Sequence, residues 1–263
     1  MDWNEELLKN RLAGKLIGHK LYYYPEIGST NDEAYRLGLE GAPEGTVVIA
    51  DMQTKGKGRL QRVWHSPAGI NLYTSIILRP QIKTAAAPQI SLVAGVAVTE
   101  LLGQFCPGRV ELKWPNDVLI NGKKICGILA QMKTEADQID FVVVGIGMNV
   151  NIRQDQFPAD ITDIATSLWA ETGREISRED LIISLYEIFA KWYKKLLQDG
   201  FASIKERWLH YAAMIGRNVQ ISYFNETLTG KALGIDDSGA LILFDSHGKT
   251  INITAGDATI LKE

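Results

Sequence analysis

Forty-eight residues, from Met52 to Thr99, carry six cations and no Asp or Glu: Lys55, Lys57, Arg59, Arg62, Arg79 and Lys83. The whole chain has a formal net charge of −3, so the basic stretch is a local departure. Its densest part is Gln53-Thr-Lys-Gly-Lys-Gly-Arg-Leu-Gln-Arg-Val-Trp64, where cations alternate with glycines and end at an indole. Glycines let a backbone bend tightly and approach a ligand, and Lys and Arg beside them attract phosphate or carboxylate oxygens. The loop reads as an anion cradle, and Trp64 adds a surface on which a base can stack. The bland alternative is an exposed hairpin loop with solubilising charge.

Lys113-Trp-Pro-Asn-Asp117 is a second candidate. Pro115 ends a strand and opens a turn, holding a cation and a carboxylate a few residues apart. Triphosphate chemistry uses that pair, a cation for phosphate oxygens and a carboxylate for Mg²⁺. The competing reading is an ordinary Pro-Asn-Asp turn with Trp114 in the core. Next come Lys124 and, three residues on, Gly127 within Lys123-Lys-Ile-Cys-Gly. Strict strand alternation puts Lys124 and Gly127 on opposite faces, so a bulge or a backbone contact is needed if both serve one ligand. In Gly145-Ile-Gly-Met-Asn149, Gly145, Gly147 and Asn149 share one face and leave a slot, for a ligand or for a crossing helix.

Periodicity supplies the elements that must position these residues. Helices are expected over residues 4–18 (Leu7, Leu8, Leu12 and Leu16 near one face), 30–39, 88–105, 177–198 and 201–214. Ser29 with Asp32, Thr30 with Glu33, and Ser177 with Asp180 read as capping boxes. Strands are expected over 21–27, 46–53, 71–79, 110–114, 118–120, 123–132 and 141–150, with Asn121-Gly122 as a type I′ hairpin turn. This order gives an α+β fold on a mixed sheet. The character changes at Gly216. Residues 217–263 hold only short strand patterns (219–224, 229–235, 240–244, 250–254, 258–261), which read as a small β-barrel. Two domains are therefore expected, 1–216 and 217–263.

Composition is that of a globular chain, 46% apolar and 22% charged, with ample material for a core. The near-neutral charge argues against nucleic-acid binding through an overall field. The acidic N-terminus lacks a secretory signal, and no apolar run approaches the roughly 20 residues that span a bilayer. Cys106 and Cys126 alone make no disulfide framework or zinc spacing. A cytoplasmic protein with no membrane partner is expected.

These motifs in this order resemble the biotin protein ligases: Ser29-Thr-Asn31, Gln53-x-x-Gly-Lys-Gly-Arg59 with Arg62 and Trp64, Lys113-Trp-Pro-Asn-Asp117, Gly122-Lys-Lys-Ile-Cys-Gly-Ile-Leu129, Gly145-Ile-Gly-Met-Asn149 and Gly234-Ile-Asp-Asp-Ser-Gly-Ala-Leu241. The resemblance runs from about residue 20 to the end. It implies a catalytic domain related to class II aminoacyl-tRNA synthetases, an SH3-like C-terminal barrel, and a two-step reaction using biotin, ATP and Mg²⁺. Biotin is adenylated, then passed to a lysine of a biotin carboxyl carrier domain. By the same resemblance Ser29, Thr30, Asn31, Gln53, Gly56, Lys57, Arg59, Lys124, Gly127 and Gly145 bind biotin. Arg62, Trp64, Lys113, Asn116 and Asn149 meet ATP, Asp117 holds the metal, and Lys124 and Arg59 are the catalytic pair. The basic loop is expected to close over the adenylate.

Two positions depart from the family pattern: Gly28 replaces an acid, and Lys57 replaces an arginine, keeping the charge without the bidentate fork. Some members add an N-terminal DNA-binding domain; about 20 residues precede the match here, so no DNA binding is expected. The resemblance leaves room for a homodimer paired at sheet edges. Two alternatives stand beside it, a lipoate ligase of the same superfamily and a non-enzymatic biotin or nucleotide sensor. Trp64 and the C-terminal unit favour biotin, and the phosphate-binding cations favour an enzyme.

Overall fold

The computed structural model describes residues 3–223 and 226–261. A seven-stranded sheet forms the first layer, from β1 (Lys20–Ile27), β2 (Thr46–Gln53), β3 (Leu72–Leu78), β4 (Val110–Lys113), β5 (Asp117–Ile120), β6 (Lys123–Glu135) and β7 (Gln138–Met148). Its order is β1-β2-β3-β7-β6-β5-β4, with β1 and β2 parallel and every other pair antiparallel. The sheet is mixed, as expected. Asn121 and Gly122 both have positive φ (51° and 77°), as a type I′ turn requires.

Three helices, α3 (Pro88–Gly103), α5 (Arg178–Asp199) and α6 (Ala202–Tyr211), cover one face and enclose the main core. The short α1 (Glu5–Leu12) packs beside α5, and α4 (Leu168–Thr172) is a single buried-sided turn and a half. Thr84–Gly103 is 20 residues long with mean hydropathy 1.5, contrary to the expectation that no run reaches such length. It is 67% buried inside the protein, as a core helix is. Helix α2 (Thr30–Leu39) alone covers the other face, where Ala34 and Leu37 meet Val48, Ile77, Phe141 and Val143. The glycine slot opens on that thinly covered face.

Several expected boundaries shrink. The first helix stops at Leu12 because Gly14 adopts φ 72°, and Leu7 is exposed while Leu8 and Leu12 are buried. At α2 neither predicted capping box forms. Ser29 is the N-cap without a side-chain hydrogen bond, and Glu33 is drawn to Arg36 and Tyr24. At α5 the Ser177 hydroxyl does accept from the Asp180 amide.

The second sheet is formed by β8 (Asn218–Tyr223), β9 (Glu226–Ile235), β10 (Leu241–Asp245), β11 (Thr250–Ile253) and β12 (Asp257–Ile260), all antiparallel, in the order β11-β10-β9-β8-β12. The expected strand 219–224 ends in Phe224, which lies outside the described residues. The small five-stranded β unit expected is present, and among the described residues its sheet is open and does not close on itself. Its two edges are strands of only four residues, a length that limits edge pairing.

Candidate active site

Strand register explains why residues far apart in sequence meet. Lys113 pairs with Asp117, Asp117 with Gly127, Gly127 with Gly147, and Gly147 with Tyr73. These five residues form one row across β4, β5, β6, β7 and β3, spanning about 19 Å at the usual ~4.8 Å strand spacing. The next row on the same face places Ser75 beside Gly145 and Gly145 beside Leu129. Above both rows lies a cavity of about 800 Å³.

The bulge that Lys124 and Gly127 require is present. Val118 pairs with Cys126 and Leu119 with Lys124, leaving Ile125 as the extra residue. The slip turns Ile125 and Cys126 both into the core and brings Lys124 to the face of Gly127. The Lys124 strand edge is then held by the segment before α4: its amide donates to Ile164 O (2.8 Å) and its carbonyl accepts from Thr166 N (2.9 Å).

At one end of the cavity, buried polar side chains form a relay. Ser75 donates to Asn31 Oδ1 (2.6 Å) and lies 2.8 Å from Thr30 Oγ1. Thr30 donates to Gln53 Oε1 through its amide and its hydroxyl, Gln53 Nε2 donates to Ser66 Oγ (3.0 Å), and Ser66 donates to Trp64 O. Asn31 Nδ2 also donates to Leu129 O. Ser29 is buried beside them. Ser75 and Ser66 escaped sequence reasoning because a lone serine in a strand or loop carries no spacing signal.

The glycines serve protein side chains. A Cβ on Gly145 would sit 1.9 Å from Asn31 Oδ1, and one on Gly147 would sit 2.5 Å from Trp64 Nε1. One on Gly127 would meet Trp64 Cζ3 at 3.0 Å. The slot thus admits Asn31, from the first turn of the α2 helix that packs across this face, and the indole of Trp64. Gly56 is the one predicted site residue off the cavity wall. Its Cβ would strike Trp64 O (2.4 Å) and Ser66 Oγ (2.6 Å), so it serves the packing of the loop. Gly145→Ala is expected to destabilise the protein by about 1–3 kcal/mol, the usual range for overpacking. A thermal melt several degrees below wild type would show this, and an unchanged melt would mean Asn31 simply moves aside.

At the other end the cations converge. Lys124 Nζ lies 2.6 Å from Asp117 Oδ1 and Lys113 Nζ 3.3 Å from Asp117 Oδ2. Lys124 also stands 5.4 Å above the Trp64 ring, a cation–π distance. The basic loop finds its missing acids elsewhere in the chain. Lys57 pairs with Asp32 of α2 (2.6 Å), and Arg62 pairs with Asp257 (2.7 Å). Arg59 donates to Gly256 O (3.0 Å) and lies 3.6 Å from Asp257. Burial pulls the Arg59 guanidinium below its ordinary pKa, while Asp257 and Asp117 push it back up. Arg59 keeps its charge against a cost of desolvation, which a phosphate would relieve.

Asn116 and Asn149 line the cavity yet spend their amides on the scaffold, Asn116 Nδ2 on Ile128 O and Asn149 Nδ2 on Thr166 O. Trp114 is a core residue whose indole donates to Gly239 O in the turn between β9 and β10. Residues near both termini of the second sheet, Arg217, Asp257 and Thr259 among them, also wall the cavity.

The donor set does not fit a protein-held Mg²⁺. Both oxygens of Asp117 face ammonium groups, which repel a divalent cation. Asp117→Asn tests this: half-saturation by Mg²⁺ should stay unchanged while adenylate formation slows, because Lys113 and Lys124 lose their common anchor. A Mg²⁺ requirement raised by roughly tenfold, about 1.4 kcal/mol of lost coordination, would restore Asp117 as a ligand.

Comparisons with known proteins identify the family. Residues 23–149 match the biotin/lipoate A/B protein ligase family, and residues 214–260 match the biotin protein ligase C-terminal domain. The bifunctional ligase/repressor BirA of Bacillus spizizenii is 43% identical over 245 residues, covering 93% of this chain and 75% of that protein. A biotin--[acetyl-CoA-carboxylase] ligase of Paracoccus denitrificans is 38% identical, covering 85% of this chain and 93% of that one. Among solved structures, the biotin protein ligase of Aquifex aeolicus in complex with biotin and ATP superposes with a TM-score of 0.79 at 31% identity, covering 93% of this chain and 99% of that one. With both parts of the chain matched, the protein belongs to the biotin/lipoate A/B protein ligase family and carries the C-terminal domain of its biotin protein ligases.

Proposed function

We infer that this chain is a biotin protein ligase and that the cavity above β3, β6 and β7 is where biotin is joined to AMP and then passed to a lysine of a biotin carboxyl carrier domain. The observation that carries the reading is the convergence of Lys113, Lys124, Arg59 and Arg62 on one end of a single cavity whose other end is a polar, serine- and asparagine-lined relay. A carboxylate approaching a triphosphate meets like charge, and preorganised cations in a partly buried cleft offset that repulsion.

In the first step a carboxylate oxygen of biotin attacks the α-phosphorus, the bond to the β-phosphate oxygen breaks, and pyrophosphate leaves. Lys124, aimed by Asp117 at the cationic end, faces the point where the new bond forms. Arg59 and Arg62 take the phosphate charge, and Trp64 walls the nucleotide from water. In the second step the carrier lysine's amine attacks the acyl carbon, the bond to AMP breaks, and the amine gives its proton to solvent. Magnesium would be brought by ATP as its phosphate complex and would supply charge neutralisation there, with no residue of the chain assigned to hold it. We take residues 1–216 as the catalytic unit and 217–263 as the second unit, and place the enzyme in the cytoplasm, where ATP and carboxylase carrier domains are found.

The test is direct: the protein is mixed with biotin, MgATP and a carrier domain. The carrier should gain the mass of one biotinyl group, with biotin-dependent release of pyrophosphate. Turnover with lipoate alone would reverse the ligand assignment, and pyrophosphate without carrier labelling would leave an adenylate-forming sensor.

A further inference from the structure

We propose that Asp257, the first residue of β12, is a positioning residue for adenylation: it holds Arg59 and Arg62 at the nucleotide end of the cavity, so that the second sheet sets the aim of the basic loop. This rests on the reading of the cavity just given.

The basic loop is a small unit bonded to itself, with Gly58 N donating to Arg62 O (2.7 Å) and Trp64 N to Gly56 O (2.9 Å). Its tip holds Leu60 and Gln61 in left-handed backbone (φ 52° and 59°), which non-glycine residues adopt only when held. The hold comes from two aspartates outside the loop. Lys57–Asp32 is about half exposed on both sides, a setting in which an ion pair contributes little. Asp257 is different. Its side chain is 18% exposed, its Oδ2 is shielded from water, and Arg62 Nη1 is the cation beside that atom. The preceding Gly256 is fixed as well, at φ 132° with no room for a Cβ against Ser222 O (2.7 Å), and its carbonyl receives Arg59. Backbone and side chain of adjacent residues thus seize two arginines three positions apart.

This anchoring leaves the arginines useful. One carboxylate balances only one of two guanidinium charges, and each guanidinium has five donors in a rigid fork. One edge can face Asp257 while another meets a phosphate. The charge on Asp257 also lowers the cost of burying Arg59 at the site.

Asp257→Asn keeps the shape and removes the charge. In the full chain with biotin and MgATP, the KM for ATP from pyrophosphate release should rise roughly tenfold, the scale of one lost charged hydrogen bond. Adenylate escape, read as biotin on lysines of a bystander protein such as serum albumin, should rise by a similar factor, with the thermal melt within a few degrees of wild type. Combined with Arg62→Gln, the double variant should be no worse than the poorer single variant, as expected of residues that act as a unit. Effects that multiply instead would place the action of Asp257 elsewhere and overturn the proposal. So would an unchanged KM and escape, and so would a lowered KM, which would make Asp257 a competitor of the phosphates. A wild-type chain that releases no pyrophosphate overturns the reading of the cavity together with this one. A wild type that does so while Asp257→Asn matches it overturns this proposal alone.

Discussion

Lys124→Ala will retain its fold and lose biotin-dependent pyrophosphate release by roughly a hundred- to a thousandfold, the usual loss for one donor aimed at developing charge. The structure gives two reasons for so large an effect. The bulge at Ile125 exists in a strand that would otherwise turn Lys124 away, so the sheet gives up ladder regularity to bring this ammonium to the site face. Asp117 then fixes its direction at 2.6 Å, and the Trp64 ring lies against it at 5.4 Å. Stability should change little, since the side chain is about one-third exposed and its backbone bonds to Ile164 and Thr166 remain. Pyrophosphate release within threefold of wild type, in a variant whose melting curve is normal, would remove Lys124 from the chemistry.

Arg59→Gly will still make adenylate but will not keep it. Arg59 ties the loop to the carbonyl of Gly256 and lines the end of the cavity proposed for the nucleotide, and glycine offers neither contact nor charge. Losing a charge-assisted contact worth about 1.5–3 kcal/mol predicts that escape rises roughly ten- to a hundredfold. Labelling of bystander lysines, measured by mass spectrometry against the carrier domain, reports that escape. Its two-step logic separates this residue from Lys124: one variant should fail to form the mixed anhydride, the other to contain it. Equal retention by Arg59→Gly and wild type would mean that the loop does not guard the intermediate.

The two variants also mark where local pattern carried information. Turn chemistry and periodicity are local, so the mixed sheet, the Asn121-Gly122 hairpin, the core helix α3 and the late run of short strands were legible along the chain. Lys113, Asp117, Lys124 and the loop arginines were legible because glycine spacing and clustered charge are themselves sequence features. Even the bulge could be stated as a condition, from the odd spacing of Lys124 and Gly127. The first helix was overread because Gly14 breaks the pattern without disturbing leucine periodicity.

What only the tertiary structure decided is who partners whom. The basic stretch looked uncompensated because its acids, Asp32 for Lys57, Asp140 for Arg79 and Asp257 for Arg62, lie outside it, the last 195 positions beyond Arg62 in number. Gly145 and Gly147 looked like room for a ligand or a crossing helix, and they are room for Asn31 of α2 and for Trp64. Spacing along a chain reports faces and turns, because backbone geometry repeats every few residues. Charge pairing and steric fit depend on register across strands and on the docking of one sheet against another. Those are set by the summed burial of many side chains, and no single stretch of sequence contains that sum.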